Sequence, residues 1–303
     1  MKSFQKPEAL KVGDTIALVR PCSKLENQDW QKAQKLLRSL GFCIVTYPYQ
    51  FPKDSFFASN DESRTRELEW ALKEPGIKGI FCARGGYGSA RSLRDLKIPK
   101  RISPKLIMGY SDVTYLHHWV MNQLNWNSFH GPLVGTLDQG RMKKFLLEMA
   151  ALSSRAIRIP LSEAKILQSG KSKPARLVGG NLSMLEVAGP ASLPKEPILL
   201  ILEDVNENFY RIDRMLGRLL DAGYDRYVQG IICGKFLNCG KDDKSTFSWK
   251  RIEESLKRLT NGPILQNVRF GHGIKNQRIF PLGVRARLSG KTLEVLEGAV
   301  RSP

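Results

Sequence analysis

The sequence is poor in cysteine, in histidine, in acidic residues and in long apolar runs, and each shortage removes a class of function. Five cysteines, Cys22, Cys43, Cys82, Cys233 and Cys239, are odd in number and contain no C-x-x-C. Reduced thiols in apolar surroundings fit that pattern better than a disulfide framework or a zinc site, so no metal is expected. No stretch approaches the roughly 18 apolar residues that a membrane helix needs. Residues 1–14 (MKSFQKPEALKVGD) carry no apolar core of a signal peptide, so the expectation is a cytoplasmic protein with no membrane partner. No internal repeat is present.

Acid is scarce relative to base: 29 Asp and Glu against 48 Lys and Arg give a formal net charge of +19. Such a field attracts anions over distance, whether a nucleic acid or an anionic small substrate, and a solvated basic surface is an equally simple reading. What the chain has in quantity is ordinary globular composition, 42% apolar and 25% charged over 303 residues, with 26 Gly and 16 Pro scattered. That length divides most naturally into two domains.

The first half alternates apolar runs with amphipathic segments. Thr15-Val19, Phe42-Thr46, Lys78-Cys82 and Lys105-Gly109 read as strands, with helices over Trp30-Leu40 and Glu62-Leu72 and a capping box at Ser59-x-x-Glu62. This pattern predicts an α/β, doubly wound, mainly parallel sheet over residues 1–152, with functional loops at the carboxyl ends of its strands. From 153 to 176 the period fades and Ser, Lys and Pro accumulate, so a linker is expected there. A smaller C-terminal α/β domain with a mixed or barrel-like sheet is expected over 177–303. Its strands are Ile198-Leu202 and Val228-Cys233, its helices Tyr210-Leu220 and Phe247-Leu259, and a hairpin turns at Ser289-Gly290-Lys291.

Chemistry concentrates in a few segments. Lys105-Gly109 stops at a glycine and passes through Tyr110-Ser111-Asp112 straight into a helical pattern. A serine there resembles a nucleophile elbow, with the next amide at a helix N-terminus able to stabilise an oxyanion. Val113 occupies the place of the last glycine of G-x-S-x-G, and Ser111 or Asp112 as a simple helix cap is the alternative. Arg84-Gly85-Gly86-Tyr87-Gly88 ends the preceding strand, where three glycines let backbone amides approach an anion, phosphate included. A lone R-G-G without an aromatic recognition pattern speaks weakly for RNA.

A serine nucleophile needs a base, and four histidines are available. His117 and His118 fall in the helix after the elbow and suit packing or the surface. His130 follows a strand and could line a site. His272, between Gly271 and Gly273, is either a turn residue or a presented base. Glu203 and Asp204 close the Ile198-Leu202 strand, where a carboxylate could orient that base. The competing reading is an ion-pair network with Arg211 and Arg214.

Together these segments resemble the LD-carboxypeptidase family of serine peptidases, which includes murein tetrapeptide carboxypeptidases and microcin immunity peptidases. The resemblance runs through Val12-Ala17, Ala83-Gly88, Gly109-Thr114 with His130-Gly131-Pro132, Gly179-Leu182, Leu202-Asp204, Tyr210-Arg214, Gly271-Gly273 and Pro281-Gly283, in order and over nearly the whole chain. Arg20-Pro21-Cys22-Ser23 departs from the family's small residues before Pro-Ser. The resemblance implies a Ser-Glu-His triad of Ser111, Glu203 and His272, with Glu207 as the alternative acid. It implies an oxyanion hole from the amides of Gly86 and Asp112, and an acyl-enzyme route that needs no cofactor. Arg84, Gly85, Tyr87 and Arg211 become candidates for substrate binding, the arginines for a terminal carboxylate. The implied substrate is an anionic murein tetrapeptide losing its terminal D-alanine, with no nucleic-acid partner and a possible homodimer. A same-mechanism peptidase for a peptidyl-nucleotide antibiotic is the nearest alternative, and a basic nucleic-acid or phosphate-binding protein the distant one.

Overall fold

Five parallel strands near the N-terminus order themselves as β2-β1-β3-β4-β5 in a computed structural model of the chain, which describes residues 4–48, 56–99, 101–136, 140, 157–241, 247–275 and 277–301. They are β1 (Thr15–Val19), β2 (Cys43–Thr46), β3 (Ile77–Cys82), β4 (Leu106–Gly109) and β5 (Ser128–His130). The helices between them are α1 (Asn27–Ser39), α2 (Asp61–Lys73), α3 (Ser89–Arg94) and α4 (Thr114–Leu124). Strands β1, β3 and β4 are almost wholly buried, as continuous apolar runs covered by helices on both faces should be.

This strand order has a switch point. The chain leaves β1 toward β2 on one side and returns to β3 on the other, so a crevice opens between the carboxyl ends of β1 and β3. Arg20 to Ser23 follow β1 there and Ala83 to Gly88 follow β3, while Tyr110 and Ser111 follow the next strand, β4. A sixth strand, β12 (Phe280–Leu282), joins this sheet beside β5 from far along the chain.

The second sheet has eight strands in the order β6-β14-β13-β8-β9-β10-β11-β7. Its centre is β8 (Ala175–Asn181), β9 (Ile198–Val205), β10 (Val228–Leu237) and β11 (Ile264–Gln266), all parallel. The flanking strands β6 (Ile157–Pro160), β7 (Lys165–Gln168), β13 (Arg285–Ser289) and β14 (Thr292–Val295) pair antiparallel. The two edges, β6 and β7, are consecutive in sequence and separated only by Leu161 to Ala164. Eight flat strands would hold their edges about 33 Å apart, whereas such a connection reaches at most about 17 Å. The sheet is therefore strongly curled, which makes the expected mixed, barrel-like description apt. Helices α5 (Leu182–Ala188), α6 (Phe209–Asp221) and α7 (Trp249–Leu259) accompany it.

The chain separates into two compact units, one of Lys2–Ser154 with Ile279–Pro281 and Gly298–Pro303, the other mainly of Arg155–Arg278 with Leu282–Glu297. Three readings of the sequence need correction. The stretch 153–176 contains β6, β7 and the start of β8 rather than only a linker. Its strands are short and half-exposed, so they lack the apolar density that marks a core strand. The C-terminal portion is not one piece, because residues 279–281 and 298–303 group with the first unit. Helix α2 is capped by Asn60, whose side chain accepts from the Ser63 amide at 2.8 Å, and not by Ser59.

Candidate functional site

Ser111 follows β4 with φ at 65°, a left-handed conformation that a residue with a Cβ adopts at a cost of about 1–3 kcal/mol. The strain comes with a 3-10 turn, Ser111–Val113, that runs directly into α4. Asp112 is the second residue of this turn, so its amide belongs to a first turn whose donors have no intrahelical acceptor. An ideal Cβ on Gly109 would lie 2.7 Å from Val113 Cγ1. Val113 thus packs on the bare glycine backbone, which explains why a valine can end a motif that otherwise closes with glycine.

The glycine loop is fitted to this turn. A Cβ on Gly85 would come within 2.8 Å of Ser111 Cβ and 3.0 Å of its Oγ. At Gly86, φ is 102° and a Cβ would sit 2.3 Å from Ser23 Oγ. Ser23 holds the loop from the other side: its amide donates to the Gly85 carbonyl at 3.2 Å, and its Oγ accepts from the Tyr87 amide at 3.0 Å. Buried Arg64 donates to the Gly88, Pro21 and Ser59 carbonyls at 2.9, 2.5 and 3.1 Å and to Ser92 Oγ at 2.6 Å. It ties the ends of β1 and β3 to α2 and α3.

Asp112 is buried and fastens the turn to α3. It accepts from the Ser89 amide at 2.7 Å, and its carbonyl accepts from Ser89 Oγ at 2.6 Å. Burial pushes its carboxyl above the usual range, against the hydrogen bonds from Cys22 and Ser89. His117 donates from Nε2 to the Gly109 carbonyl at 2.9 Å, and burial pulls its ring down to about 3, so it is a neutral brace under the turn. Nothing in the sequence marked His117 for that task, nor Ser23 or Arg64. His118 and His130 are buried too, and the His130 ring stands 6.0 Å from that of Tyr110.

In the second unit, β9 does not stop at Leu202 but carries Glu203 and Asp204 within it. The acids are tolerated in a buried strand because each carboxylate is hydrogen-bonded. Glu203, fully buried, accepts from His272 Nδ1 at 2.7 Å and from the His272 amide at 3.2 Å. That places a proton on Nδ1 and leaves Nε2 as the basic nitrogen of the neutral ring. Burial opposes charge on His272, but the Glu203 hydrogen bond and the negative charges of Glu203 and Asp204 outweigh it and raise the pKa. Gly271 makes the approach possible: its φ is 92°, and a Cβ there would lie 2.6 Å from Glu203 Oε2.

Asn181 joins the two acids. Its Nδ2 donates to Glu203 at 3.2 Å and to Asp204 at 3.0 Å, while its Oδ1 accepts from the Met184 amide and caps α5. Asp204 also accepts from the Ser183 amide and hydroxyl and from the Val205 amide. Burial, reinforced by the charge of Glu203, lifts its carboxyl to about 6 despite those hydrogen bonds. Glu207 lies apart from His272 in role, paired with Arg211 at 3.1 Å on α6. Arg214 faces Glu186 at 3.9 Å, so the ion-pair network expected of Arg211 and Arg214 engages Glu207 and Glu186.

Of the remaining candidates, Arg84 donates to the Lys24 carbonyl. Tyr87 is half-exposed, with its ring 5.6 Å from Phe57. Among the described residues no cluster of three or more His, Cys, Asp or Glu could hold a metal, and no helix is long and apolar enough to cross a membrane.

Comparison with known proteins identifies related chains. Residues 16–131 match the LD-carboxypeptidase N-terminal domain, and residues 174–288 match the LD-carboxypeptidase C-terminal domain. A Synechocystis sp. protein named as a carboxypeptidase is 34% identical over 95% of this chain and 96% of its own. The crystal structure of muramoyltetrapeptide carboxypeptidase from Oxalobacter formigenes is 27% identical, with a TM-score of 0.75 over 95% of this chain and 99% of that one. The microcin C7 self-immunity protein MccF shares the fold, with a TM-score of 0.82 at 21% identity, over 97% and 99% of the two chains.

Proposed function

Because the chain belongs to the LD-carboxypeptidase family of serine peptidases, we propose that it removes the terminal D-alanine from murein tetrapeptides through Ser111, Glu203 and His272. The observation that carries the reading is the 2.7 Å hydrogen bond from His272 Nδ1 to buried Glu203. That bond makes Nε2 a base held in one tautomer, the state a serine nucleophile requires.

In this reading His272 Nε2 takes the Ser111 proton as Oγ attacks the carbonyl that precedes the terminal D-residue. The amides of Asp112 and Gly86 stabilise the oxyanion. Collapse of the tetrahedral intermediate breaks the peptide bond, and His272 returns the proton to the departing amine of D-alanine. Water, deprotonated by the same histidine, then hydrolyses the acyl-serine. Arg84, Gly85, Tyr87 and Arg211 contact the substrate, and the basic surface draws in its carboxylates. The reading extends to a cytoplasmic homodimer acting in murein recycling.

The test is release of free D-alanine from the tetrapeptide by wild type and by Ser111→Ala, with both melting at the same temperature. Release by the wild type alone is the expected result. Equal release removes Ser111 from the mechanism, and release by neither, with cleavage of a peptidyl-nucleotide instead, transfers the same chemistry to that substrate.

A further inference from the structure

The edge of the first sheet opposite Ser111 carries a second concentration of charge. Where β3 and β4 begin, a cavity of about 280 Å³ is lined by Lys73, Lys78, Arg101, Lys105 and Arg301 against one carboxylate, Glu8. Glu8 is shared between Lys78 at 3.0 Å and Arg301 at 3.8 Å, and Lys73 pairs with Glu69. Among the described residues neither Arg101 nor Lys105 forms an ion pair. Even with Glu69 and Glu74 nearby, five cations against the one acid of the lining leave the cavity with a net positive charge that attracts anions.

Lys105 makes the cavity more than a charged surface. It is 4% exposed, with its Nζ donating to the Glu74 carbonyl. That bond uses one of three ammonium donors and neutralises no charge. Burial is the main influence on the amine and lowers it to about 8; the Glu74 carboxylate opposes the shift and the Lys78 charge adds to it. The nearby Glu74 carboxylate offsets only part of the cost of burying this ammonium, and an anion in the cavity would offset more. Ser103 adds a hydroxyl to the lining, while Ile77, Ile102 and Pro104 give it an apolar side.

We propose that this cavity binds a small phosphate-bearing anion, at a site separate from the peptidase chemistry. A multivalent anion with several acceptor oxygens suits Arg101, Lys105 and Arg301 better than a single carboxylate does. The organic body of a phosphate ester would lie along the Ile77 and Ile102 side.

Titration calorimetry with inorganic pyrophosphate tests this on the full chain. Binding by the wild type is expected, weakened about tenfold or more in both Arg101→Ala and Lys105→Met. Arg101 is exposed, so its variant reads the site even if the loss of buried Lys105 harms folding. Binding should also draw a proton onto Lys105 near pH 8, so the part of the heat that depends on the buffer's ionisation enthalpy should be smaller in Lys105→Met than in the wild type at that pH. Ser111→Ala should bind as the wild type does, separating this site from the peptidase reading. Absence of binding by the wild type, or equal binding by Arg101→Ala, overturns the proposal.

Discussion

The Ser111 turn and the Glu203–His272 pair are built by opposite means. The turn is made by removing side chains: Gly85, Gly86, Gly88 and Gly109 admit Ser111, Ser23, Arg64 and Val113 at distances no Cβ would allow. The pair is made by adding polar atoms, with Asn181, the Ser183 amide and His272 surrounding two buried acids. Geometry set by backbone is sensitive to an added methyl group. Geometry set by a hydrogen-bonded carboxylate is sensitive to a removed charge.

The charge side of that contrast predicts the larger loss. Glu203→Gln keeps the shape but not the negative charge that would stabilise an imidazolium, and kcat should fall about 10²–10⁴-fold. Its amide NH2 must also face a donor, Asn181 Nδ2 or His272, so the melting temperature should fall as well. A pH profile separates this from simple structural damage. With His272 as the proposed base, activity would require its neutral form, so kcat/KM should fall as pH drops through its pKa, which stands above the ordinary value of 6.5 in the wild type. Without the Glu203 charge that acidic limb moves to lower pH. An unmoved limb would mean that His272 is not the base.

The backbone side is probed by Gly85→Ala, whose methyl would sit 2.8 Å from Ser111 Cβ. Displacing the serine by a fraction of an ångström should lower kcat about 10²-fold while the protein stays folded. Gly76→Ala, where the nearest atom lies 3.9 Å away, is the matched control and should leave kcat unchanged. Equal behaviour of the two would deny that Gly85 seats Ser111.

The same contrast explains what the sequence made legible. Parallel strands buried on both faces write themselves as apolar runs, so β1, β3 and β4 were readable. Half-exposed β2 was readable from its short β-branched run, and the turn after β4 because a glycine, a serine and a helical pattern adjoin there. Half-exposed β6 and β7, and β12 with three residues, carry too little periodicity to be seen. The polar network was half legible. Glu203 and His272 stood out by chemical type, but the bonds of Asn181 to both acids and of His117 to Gly109 depend on contacts between residues far apart or on opposite sides of a turn. Glu203 and Asp204 also concealed the end of β9, since acids ordinarily end a buried strand and here are satisfied within it.

Arg64 supports the backbone-built region from below, so its loss should appear in stability first. Arg64→Met removes donors to three carbonyls and to Ser92 Oγ together with the ion pair to Asp61. Ser92 Oγ still donates to the Pro21 and Gly88 carbonyls, so the Ser59 carbonyl is the group left short of a donor. A loss of about 3 kcal/mol is expected in denaturant melts. Activity should fall less than in Gly85→Ala under conditions where the variant remains folded. A larger loss of activity than of stability would place Arg64 within the chemistry.

The smallest effect on stability is expected at the rim of the polar region. Arg211 is half-exposed and paired with Glu207, which precedes α6, an interaction at the solvent rim worth about 1 kcal/mol or less. Arg211→Ala should therefore melt with the wild type. If the guanidinium holds the terminal carboxylate of the peptide, KM rises while kcat holds, because binding lost equally in ground and transition states leaves the chemical step unchanged. That split is the expected outcome in steady-state kinetics. An unchanged KM would leave Arg211 as a surface partner of Glu207 and shift the carboxylate contact to Arg84, whose own Ala variant then provides the decisive measurement.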